Sequence, residues 1–397
     1  MNVGIIGGGV FGLAAAIELR ERGHSVTVFD QGRVPYENAT STDVAKGIRR
    51  TWYGDGGPYV ELVERAAVQW REWERRTGES LYHQTGGMKI MRGFEPGNVM
   101  YENWRYLQGR GSDLTIMTAK EGRKRYPQFV IDDDEVCVLD DWAGYIESER
   151  AVAMMAGIAR EDGMVVREQA LVTGIDEAAD GVSVHVDGAG VSEFDRVVVA
   201  GGVWSGRLVP EVGKNLLVTL REMIMIEVEE PEKFARGRFP VWSDDPDVNG
   251  WYGFPLLREG YVKVAIEGIG EIVDPDIDRA GSQEFRDEAM EYLRWRIPDI
   301  GRGRVADVRA CLYCATPDDH FIIDHAPGPD RVIVATGGSG HGFKFGGSLG
   351  AVIADAVEDV PNPLGDWFRI GDRFEGLADQ TRSVTESRGY ALTRAEG

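Results

Sequence analysis

Residues 3–12 of the chain have the sequence Val-Gly-Ile-Ile-Gly-Gly-Gly-Val-Phe-Gly, an apolar run that leads directly into a glycine-rich turn. Within it, Gly7, Gly9 and Gly12 have the G-x-G-x-x-G spacing of a dinucleotide-binding turn. Good helix formers follow, and Ser25 to Asp30 then alternates as a second strand. The order of strand, glycine turn, helix and strand predicts a Rossmann-type α/β fold at the N-terminus.

The residue types of this turn predict how a dinucleotide would lie on it. Gly7 permits the tight turn, Gly9 lets the backbone approach a pyrophosphate at the helix N-terminus, and Gly12 lets helix and strand pack closely. Asp30 ends the second strand, where a carboxylate can accept hydrogen bonds from ribose hydroxyls and disfavours a 2′-phosphate. The turn therefore favours FAD or NAD over NADP.

Two later segments, Phe194 to Trp204 and Asp330 to Gly340, repeat the pattern of an apolar strand followed by glycines, which is typical of buried parallel strands. Between them, runs such as Leu216 to Val228 alternate as an antiparallel sheet with one covered face would. Helical patterns fit residues 148–161, 282–296 and 347–358. We predict a discontinuous Rossmann-type dinucleotide-binding domain (1–85, 146–212 and 303–375), an inserted α+β substrate domain with an antiparallel sheet (86–145 and 213–302), and a C-terminal tail (376–397).

The composition excludes several classes of partner. The 397 residues include 66 acidic and 44 basic side chains, and the net charge of -22 would repel both nucleic acid and anionic lipid. No apolar run approaches the roughly 20 residues of a membrane span, so we expect a cytoplasmic protein. The three cysteines are an odd and sparse set that argues against a disulfide framework, and the six histidines show no metal-ligand spacing with them. We predict neither nucleic acid, nor membrane, nor metal as a partner.

Three sequence blocks occur in an informative order: the glycine turn at 7–12, Cys-Leu-Tyr-Cys-Ala-Thr-Pro-Asp-Asp-His-Phe-Ile-Ile-Asp at 311–324, and Gly-Ser-Gly-His-Gly-Phe-Lys-Phe at 338–345. Together they resemble the monomeric sarcosine oxidase and fructosyl amino acid oxidase (amadoriase) group of D-amino-acid-oxidase-like flavoproteins. The resemblance extends to about residue 360. It implies an FAD-binding domain, a monomer, and an oxidase that acts on carbon–nitrogen bonds.

The resemblance also implies roles for individual residues. Cys311 matches the cysteine that carries FAD through an 8α-thioether, a reaction that needs a thiolate. Lys263 matches a lysine over the flavin that promotes reaction with oxygen, where a buried ammonium stabilises developing negative charge. Lys344 matches a lysine that faces the substrate, often its carboxylate. The implied cofactor-binding residues are Gly7, Gly9, Val10, Phe11, Gly12, Asp30, Gln31, Ser41, Thr42, Lys46, Cys311, Gly338, Gly340, His341, Gly342, Phe343 and Lys344.

Departures from the family pattern bear on the substrate. Asp43 and Gly47 stand where sarcosine oxidases present a histidine and an arginine, and the Asp-Val-x-Lys string that ends at Lys46 resembles the amadoriase loop. Glu267 stands where amadoriases carry a glutamate that contacts the sugar-bearing amine. An N-substituted amino acid, a cyclic imino acid and a fructosyl amino acid all remain open. We predict oxidation of a secondary amine to an imine, with oxygen reduced to hydrogen peroxide. The predicted catalytic residues are Lys263, Lys344, Glu267 and Arg50. Arg50 would help to hold the substrate carboxylate.

The sequence leaves several alternatives open. The protein could be an oxidase of L-amino acids or cyclic imino acids, an amine dehydrogenase that passes electrons to a partner protein, a flavin-binding subunit without catalysis, or an NAD-dependent dehydrogenase. Lys263 could be a solvent-facing strand lysine and Cys311 an inert buried thiol. Cys314 is expected to pack in the core, with a secondary role as an attachment site, and Cys137 to be structural.

Overall fold

The computed structural model describes residues 1–54, 56–245, 250–268 and 270–374, so the predicted tail at 376–397 lies outside the described residues. Its strands are β1 (Asn2–Ile6), β2 (Ser25–Phe29), β3 (Lys46–Ile48), β4 (Tyr82–His83), β5 (Gly87–Met91), β6 (Thr115–Thr118), β7 (Val136–Asp140), β8 (Gly144–Ile146), β9 (Val165–Arg167), β10 (Val172–Glu177), β11 (Val182–Val186), β12 (Gly190–Phe194), β13 (Arg196–Val199), β14 (Leu217–Glu227), β15 (Val241–Asp244), β16 (Trp251–Gly253), β17 (Val262–Ile266), β18 (Arg304–Ala315), β19 (Ile322–His325) and β20 (Val332–Thr336). Its α-helices are α1 (Val10–Glu21), α2 (Tyr59–Thr77), α3 (Val99–Gly109), α4 (Ala119–Arg125), α5 (Ser148–Glu161), α6 (Ser205–Leu208), α7 (Pro210–Gly213), α8 (Gln283–Arg296), α9 (Pro298–Gly301) and α10 (Gly346–Val357).

A six-stranded sheet with the order β19-β20-β13-β1-β2-β9 contains the glycine turn. The pairs from β20 to β9 are all parallel, and only the edge strand β19 runs antiparallel. Strands β13 and β20 lie far along the chain from β1, yet they extend the same sheet, as the repeated strand-and-glycine pattern predicts. The Rossmann-type α/β class is confirmed.

An eight-stranded sheet with the order β18-β14-β17-β16-β15-β5-β7-β6 forms the second layer. It is antiparallel except between β5 and β15, which pair in parallel. Strand β18 pairs with β14 along its length, so residues 304–315 belong to this sheet, although the predicted boundary at 303 groups them with the dinucleotide-binding domain. The inserted, mainly antiparallel sheet is confirmed, whereas the domain boundaries stay a prediction.

Alternation along the strands gives the eight-stranded sheet two different faces. On one face, apolar residues of four strands pack against Phe285 and Leu293 of α8: Met88, Ile90, Trp242, Trp251, Val262 and Val264. The residues between them in sequence, including Lys89, Ser243, Tyr252 and Lys263, therefore project from the other face. That polar face is the wall on which the candidate site is built.

The described helices include none that is both long and apolar enough to cross a membrane. The longest, α2, buries Leu62, Ala66, Trp70 and Trp73, which is the apolar stripe expected of a helix that packs on a core.

The contact between Gly12 and the glycine turn generates a test of the fold. A Cβ at Gly12 would lie 1.9 Å from the carbonyl oxygen of Gly7, whereas a Cβ at Gly157 of α5 would meet no atom within 4 Å. We expect Gly12→Ala to lower the free energy of unfolding by about 1–3 kcal/mol through overpacking. Gly157→Ala should raise it by about 0.5–1 kcal/mol through helix propensity. Urea denaturation of the two variants measures both effects, and equal shifts would contradict the close-packing role of Gly12.

Candidate active site

A cavity of about 370 Å³, here called the glycine-turn cavity, lies at the carboxyl edge of the six-stranded sheet. Its wall begins where β1, β2, β13 and β20 end, which is where ligands bind in open α/β sheets. Of the residues predicted to hold the cofactor, those that line it are Gly7, Gly9, Val10, Phe11, Asp30, Gln31, Ser41, Lys46, Gly338, Gly340, Gly342 and Phe343.

The turn has the conformation that its glycines permit. Gly7 has a φ of 114°, and a Cβ there would lie 2.3 Å from the carbonyl oxygen of Ala200. The carboxylate of Asp30 stabilises the turn, because its two oxygens accept hydrogen bonds from the backbone N–H of Gly8 and of Gly32, each at 2.8 Å. Burial raises the pKa of Asp30, and these two backbone donors oppose that rise. Asp30 thus shapes the turn in addition to lining the cavity.

A second cavity of about 400 Å³, here called the lysine cavity, lies between the polar face of the eight-stranded sheet and the glycine-rich segment near Lys344. Lys46, Tyr313, Gly340 and Phe343 line both cavities, so the two adjoin. The predicted residues Lys263, Glu267, His341 and Lys344 all line the lysine cavity. Residues from β17, the segment that follows it and the 338–345 block are therefore brought together.

Lys263 and Asp43 form a buried ion pair at one side of the lysine cavity. Lys263 is 2 % exposed, and its Nζ donates hydrogen bonds to the Asp43 carboxylate and, at 2.9 Å, to the carbonyl oxygen of Ala45. Lys46 Nζ lies 3.3 Å from the same Asp43 oxygen. Burial lowers the pKa of Lys263 although Asp43 opposes this, and despite its own burial Asp43 has a lowered pKa because of the two lysines. The solvent-facing alternative for Lys263 is wrong, since strand alternation turns its side chain inward.

Lys344 is buried at the opposite side, next to aromatic rings. Its Nζ donates a hydrogen bond of 2.7 Å to the carbonyl oxygen of His341 and lies 5.7 Å from the ring centre of Tyr53. Burial holds the pKa of Lys344 well below its ordinary value, and the charge of Glu267 opposes this shift. A carboxylate that binds here would relieve the desolvation of the ammonium group.

The prediction that Arg50 faces the substrate is corrected by its contacts. Its guanidinium is buried in an ion pair of 2.8 Å with Asp140, donates to Ser112 Oγ at 3.1 Å, and lies over the ring of Trp142. Arg49 lines the lysine cavity instead. Both arginines follow the end of β3, and of the two side chains it is that of Arg49 that lines the cavity.

Two further cations, Arg49 and Lys89, line the lysine cavity and are absent from the set predicted from sequence. The alternation of Lys89 between Met88 and Ile90 was the available signal, because it places Lys89 on the face opposite the core. That signal becomes useful only when the face that borders the cavity is known.

The two cysteines of β18 occupy different surroundings. Cys311 is half-buried beside the cluster of Asp43, Lys46 and Lys263. It is outside the lining of both cavities, although Tyr313, two residues further along β18, lines both. Burial raises the pKa of Cys311, and the charges of Lys46, Lys263 and Arg279 oppose this rise.

Cys314 packs in an apolar cluster with Val203 and Leu312, as expected, and it also borders the glycine-turn cavity. Its Sγ lies 3.5 Å from Thr336 Oγ1. Two other predicted cofactor-binding residues line neither cavity. Gly12 packs under the turn, and the Oγ1 of Thr42 is buried without a hydrogen-bond partner in the described part of the chain.

Known proteins resemble this chain in sequence and in fold. Residues 2–356 match the family described as FAD dependent oxidoreductase. The chain is 30 % identical over 368 residues to an N-methyl-L-tryptophan oxidase of Yersinia pestis (strain Pestoides F), covering 91 % of this chain and 95 % of the relative. In fold it is similar to the L-proline dehydrogenase from P. horikoshii (TM-score 0.81, 22 % identity, 93 % and 96 % covered) and to amadoriase I from Aspergillus fumigatus (TM-score 0.78, 21 % identity, 93 % and 89 % covered).

The buried pair of Asp43 and Lys263 generates a prediction about stability. Asp43→Asn leaves the Lys263 ammonium buried without its carboxylate, and we expect a loss of about 3–5 kcal/mol in the free energy of unfolding at pH 7. Because Asp43 has a lowered pKa in the folded protein, its contribution is present above about pH 4 and is lost as the pH falls through that lowered pKa. Urea denaturation at several pH values should therefore show a smaller acid-side loss in the variant than in the wild type.

The double variant Asp43→Asn with Lys263→Met is the control for this experiment, since it removes both charges together. Its loss should be smaller than that of Asp43→Asn alone. If the loss of the double variant equals the sum of the losses of Asp43→Asn and Lys263→Met measured singly, the ion pair contributes no coupling energy.

Proposed function

The chain belongs to the family of FAD dependent oxidoreductases, and from that premise we propose that it oxidises the carbon–nitrogen bond of an N-substituted amino acid with oxygen as the electron acceptor. The observation that carries this proposal is the junction of the two cavities, because a cavity lined by Arg49, Lys263 and Lys344 adjoins the dinucleotide-binding turn. Cations in a cavity next to the dinucleotide-binding turn attract an amine substrate that also carries a carboxylate.

The residues of the glycine-turn cavity fit FAD. Gly9 borders the cavity at the N-terminus of α1, where a Cβ would approach only the side chain of Ser41, so the backbone there is open to a pyrophosphate. Asp30 stands at the end of β2, where it would meet ribose hydroxyls. Thr40 lines the same cavity, and its buried Oγ1 has no hydrogen-bond partner among the described residues. In this proposal the turn, Asp30 and the 338–343 segment hold the cofactor.

When bound, FAD supplies the two-electron oxidation of the amine to an imine and passes the electrons to oxygen, which becomes hydrogen peroxide. Arg49 and Lys344 bind the substrate carboxylate and orient the amine. Glu267 accepts the proton of the substrate ammonium, so that the nitrogen lone pair is available. Tyr53 and Tyr252 line the same cavity and help to exclude water from it.

Lys263 has a separate role in this proposal. With Lys46 it brings two ammonium groups against the single carboxylate of Asp43, so this cluster retains a net positive charge. A preorganised positive charge stabilises negative charge that develops on oxygen. The pair with Asp43 holds Lys263 in place and opposes the lowering of its pKa by burial.

An amine dehydrogenase that passes electrons to a partner protein is the second candidate. It is favoured by the similarity of the fold to an L-proline dehydrogenase and by the carboxylate of Asp43, which offsets part of the charge on Lys263. The two candidates differ in their electron acceptor, and this can be measured directly.

We further propose that FAD is attached covalently through Cys311. The thiol lies outside the lining of both cavities but close to Tyr313, which lines them both. The cations Lys46, Lys263 and Arg279 oppose the rise in its pKa that burial and the charge of Asp43 produce. They therefore favour the thiolate that attachment needs.

The oxidase proposal is tested by assaying hydrogen peroxide under air with N-methyl amino acids, cyclic imino acids, fructosyl amino acids and primary amino acids. We expect peroxide from the secondary amines.

Lys263→Met should lower the rate of reaction of the reduced enzyme with oxygen by about 100-fold, because one stabilising charge is lost. Anaerobic bleaching of the flavin by substrate should change much less. Rapid dye reduction without peroxide would favour the dehydrogenase, and activity confined to primary amino acids would overturn the secondary-amine assignment.

The covalent link is tested by acid denaturation. The yellow colour should stay with the precipitated wild-type protein and be released from Cys311→Ala, whereas Cys314→Ala should retain it. Lys46→Met should slow attachment to reconstituted protein, since the thiolate loses a nearby positive charge. FAD that is released intact from the wild-type protein would refute the link and leave the oxidase proposal standing.

A further inference from the structure

Lys89 is a buried cation of the lysine cavity for which the proposed mechanism has no use. It lies in the middle of β5, with 8 % of its surface exposed. Its neighbours Met88 and Ile90 point into the apolar core on the other face of the sheet. Lys89 therefore extends from the opposite face of the sheet into the lysine cavity.

The contacts of Lys89 hold the ammonium group without neutralising it. Its Nζ donates to the Oγ of Ser243 at 3.4 Å and to the backbone carbonyl oxygen of Asp244 at 3.2 Å, and it lies 3.8 Å from the ring centre of Trp52. Within the described residues, no carboxylate stands within ion-pair distance of Lys89. Burial lowers its pKa to about 8, and the charges of nearby carboxylates, Glu267 first among them, oppose this lowering.

The backbone of Trp52, whose ring contacts Lys89, has an unfavourable conformation. It has a φ of 73°, which is unfavourable for a bulky side chain and costs about 1–3 kcal/mol. Such strain persists where the surrounding structure imposes it, and here it accompanies the position of the indole ring against Lys89. The Lys89 ammonium has three N–H donors, and its two hydrogen bonds leave one of them for an anionic ligand.

Four carboxylates line the cavity beside its five cations: Asp43, Glu267, Asp318 and Asp319. Asp43 is paired with Lys263 and Lys46, and Asp318 is paired with Arg373 at 2.7 Å. The charges of Arg49 and Glu267 act on the pKa values of both Lys89 and Lys344, so these two residues lie near both lysines. The cavity thus has a cation on β5 and another at the glycine-rich segment, with an arginine and a carboxylate near both.

We propose that Lys89 binds a second carboxylate of the substrate, so that the preferred substrate is an N-substituted amino acid with an acidic side chain or an acidic N-substituent. This inference rests on the proposed amine oxidation. A substrate whose α-carboxylate is bound at Lys344 and Arg49 would place its nitrogen near Glu267 and extend its second carboxylate to Lys89. The cavity volume of about 400 Å³ suits a ligand of this size.

The test compares two substrates of equal shape, N-methyl-L-glutamate and N-methyl-L-glutamine, in the holoenzyme. The wild type should oxidise the glutamate with a kcat/KM at least tenfold higher. Lys89→Met keeps the unbranched side chain and removes the charge, and it should abolish the preference mainly by raising KM for the glutamate. Lys120→Met, which changes an exposed lysine on α4, should retain it. Equal kcat/KM values for the two substrates in the wild type, or an unchanged preference in Lys89→Met, would overturn the inference.

Binding without turnover separates this inference from the proposed function. Calorimetry should show that glutarate binds at least tenfold more tightly than glutaramate to the wild type, and that Lys89→Met removes the difference; Lys89→Gln provides a second neutral variant if the first does not fold. If every amine fails to give peroxide but glutarate shows this preference, the oxidase proposal fails and the anion site stands. If amines are oxidised and both ligands bind equally, the anion site fails alone.

Discussion

The ion pair between Asp43 and Lys263 connects the two layers of this protein. Asp43 belongs to the segment that follows the dinucleotide-binding strand β2, and Lys263 lies in β17 of the eight-stranded sheet, 220 residues away. A buried ammonium is costly unless a carboxylate meets it, so the pair favours one relative placement of segment and sheet. That placement brings the junction of the two cavities next to Cys311 and Tyr313. The site therefore depends on a charge contact between distant parts of the chain.

The charge of the site is opposite to that of the whole protein. The chain carries a net charge of -22, yet the cations that line the lysine cavity outnumber its four carboxylates: Lys46, Arg49, Lys89, Lys263 and Lys344. Each is withdrawn from water to some degree, and only Lys46 and Lys263 share a carboxylate within the described residues. Such an arrangement has unused capacity for anions, which is the physical basis for both the α-carboxylate site at Lys344 and Arg49 and the second site at Lys89.

Local patterns predicted much of the fold. The helical pattern at 148–161 corresponds to α5 residue for residue, and the turn at 7–12 has the predicted role for Gly7 and the predicted close packing at Gly12. These features depend on the period of apolar residues and on the steric freedom of glycine, both of which can be recognised within a few neighbouring residues. The parallel pairing of β5 with β15 was not predictable in this way, because two short strands separated by some 150 residues carry no local sign of their direction.

By itself, the sequence determined the dinucleotide turn, the two kinds of sheet and the set of residues capable of charge chemistry, since these follow from local periodicity and residue type. Only the tertiary structure decided which of those residues share a cavity. It turned Arg50 toward Asp140 and left Arg49 to face the site, and it placed Lys89 opposite the glycine-rich segment. The reason is geometric: a strand offers two faces, and which face is covered by a helix such as α8 and which borders a cavity depends on elements far away in the chain.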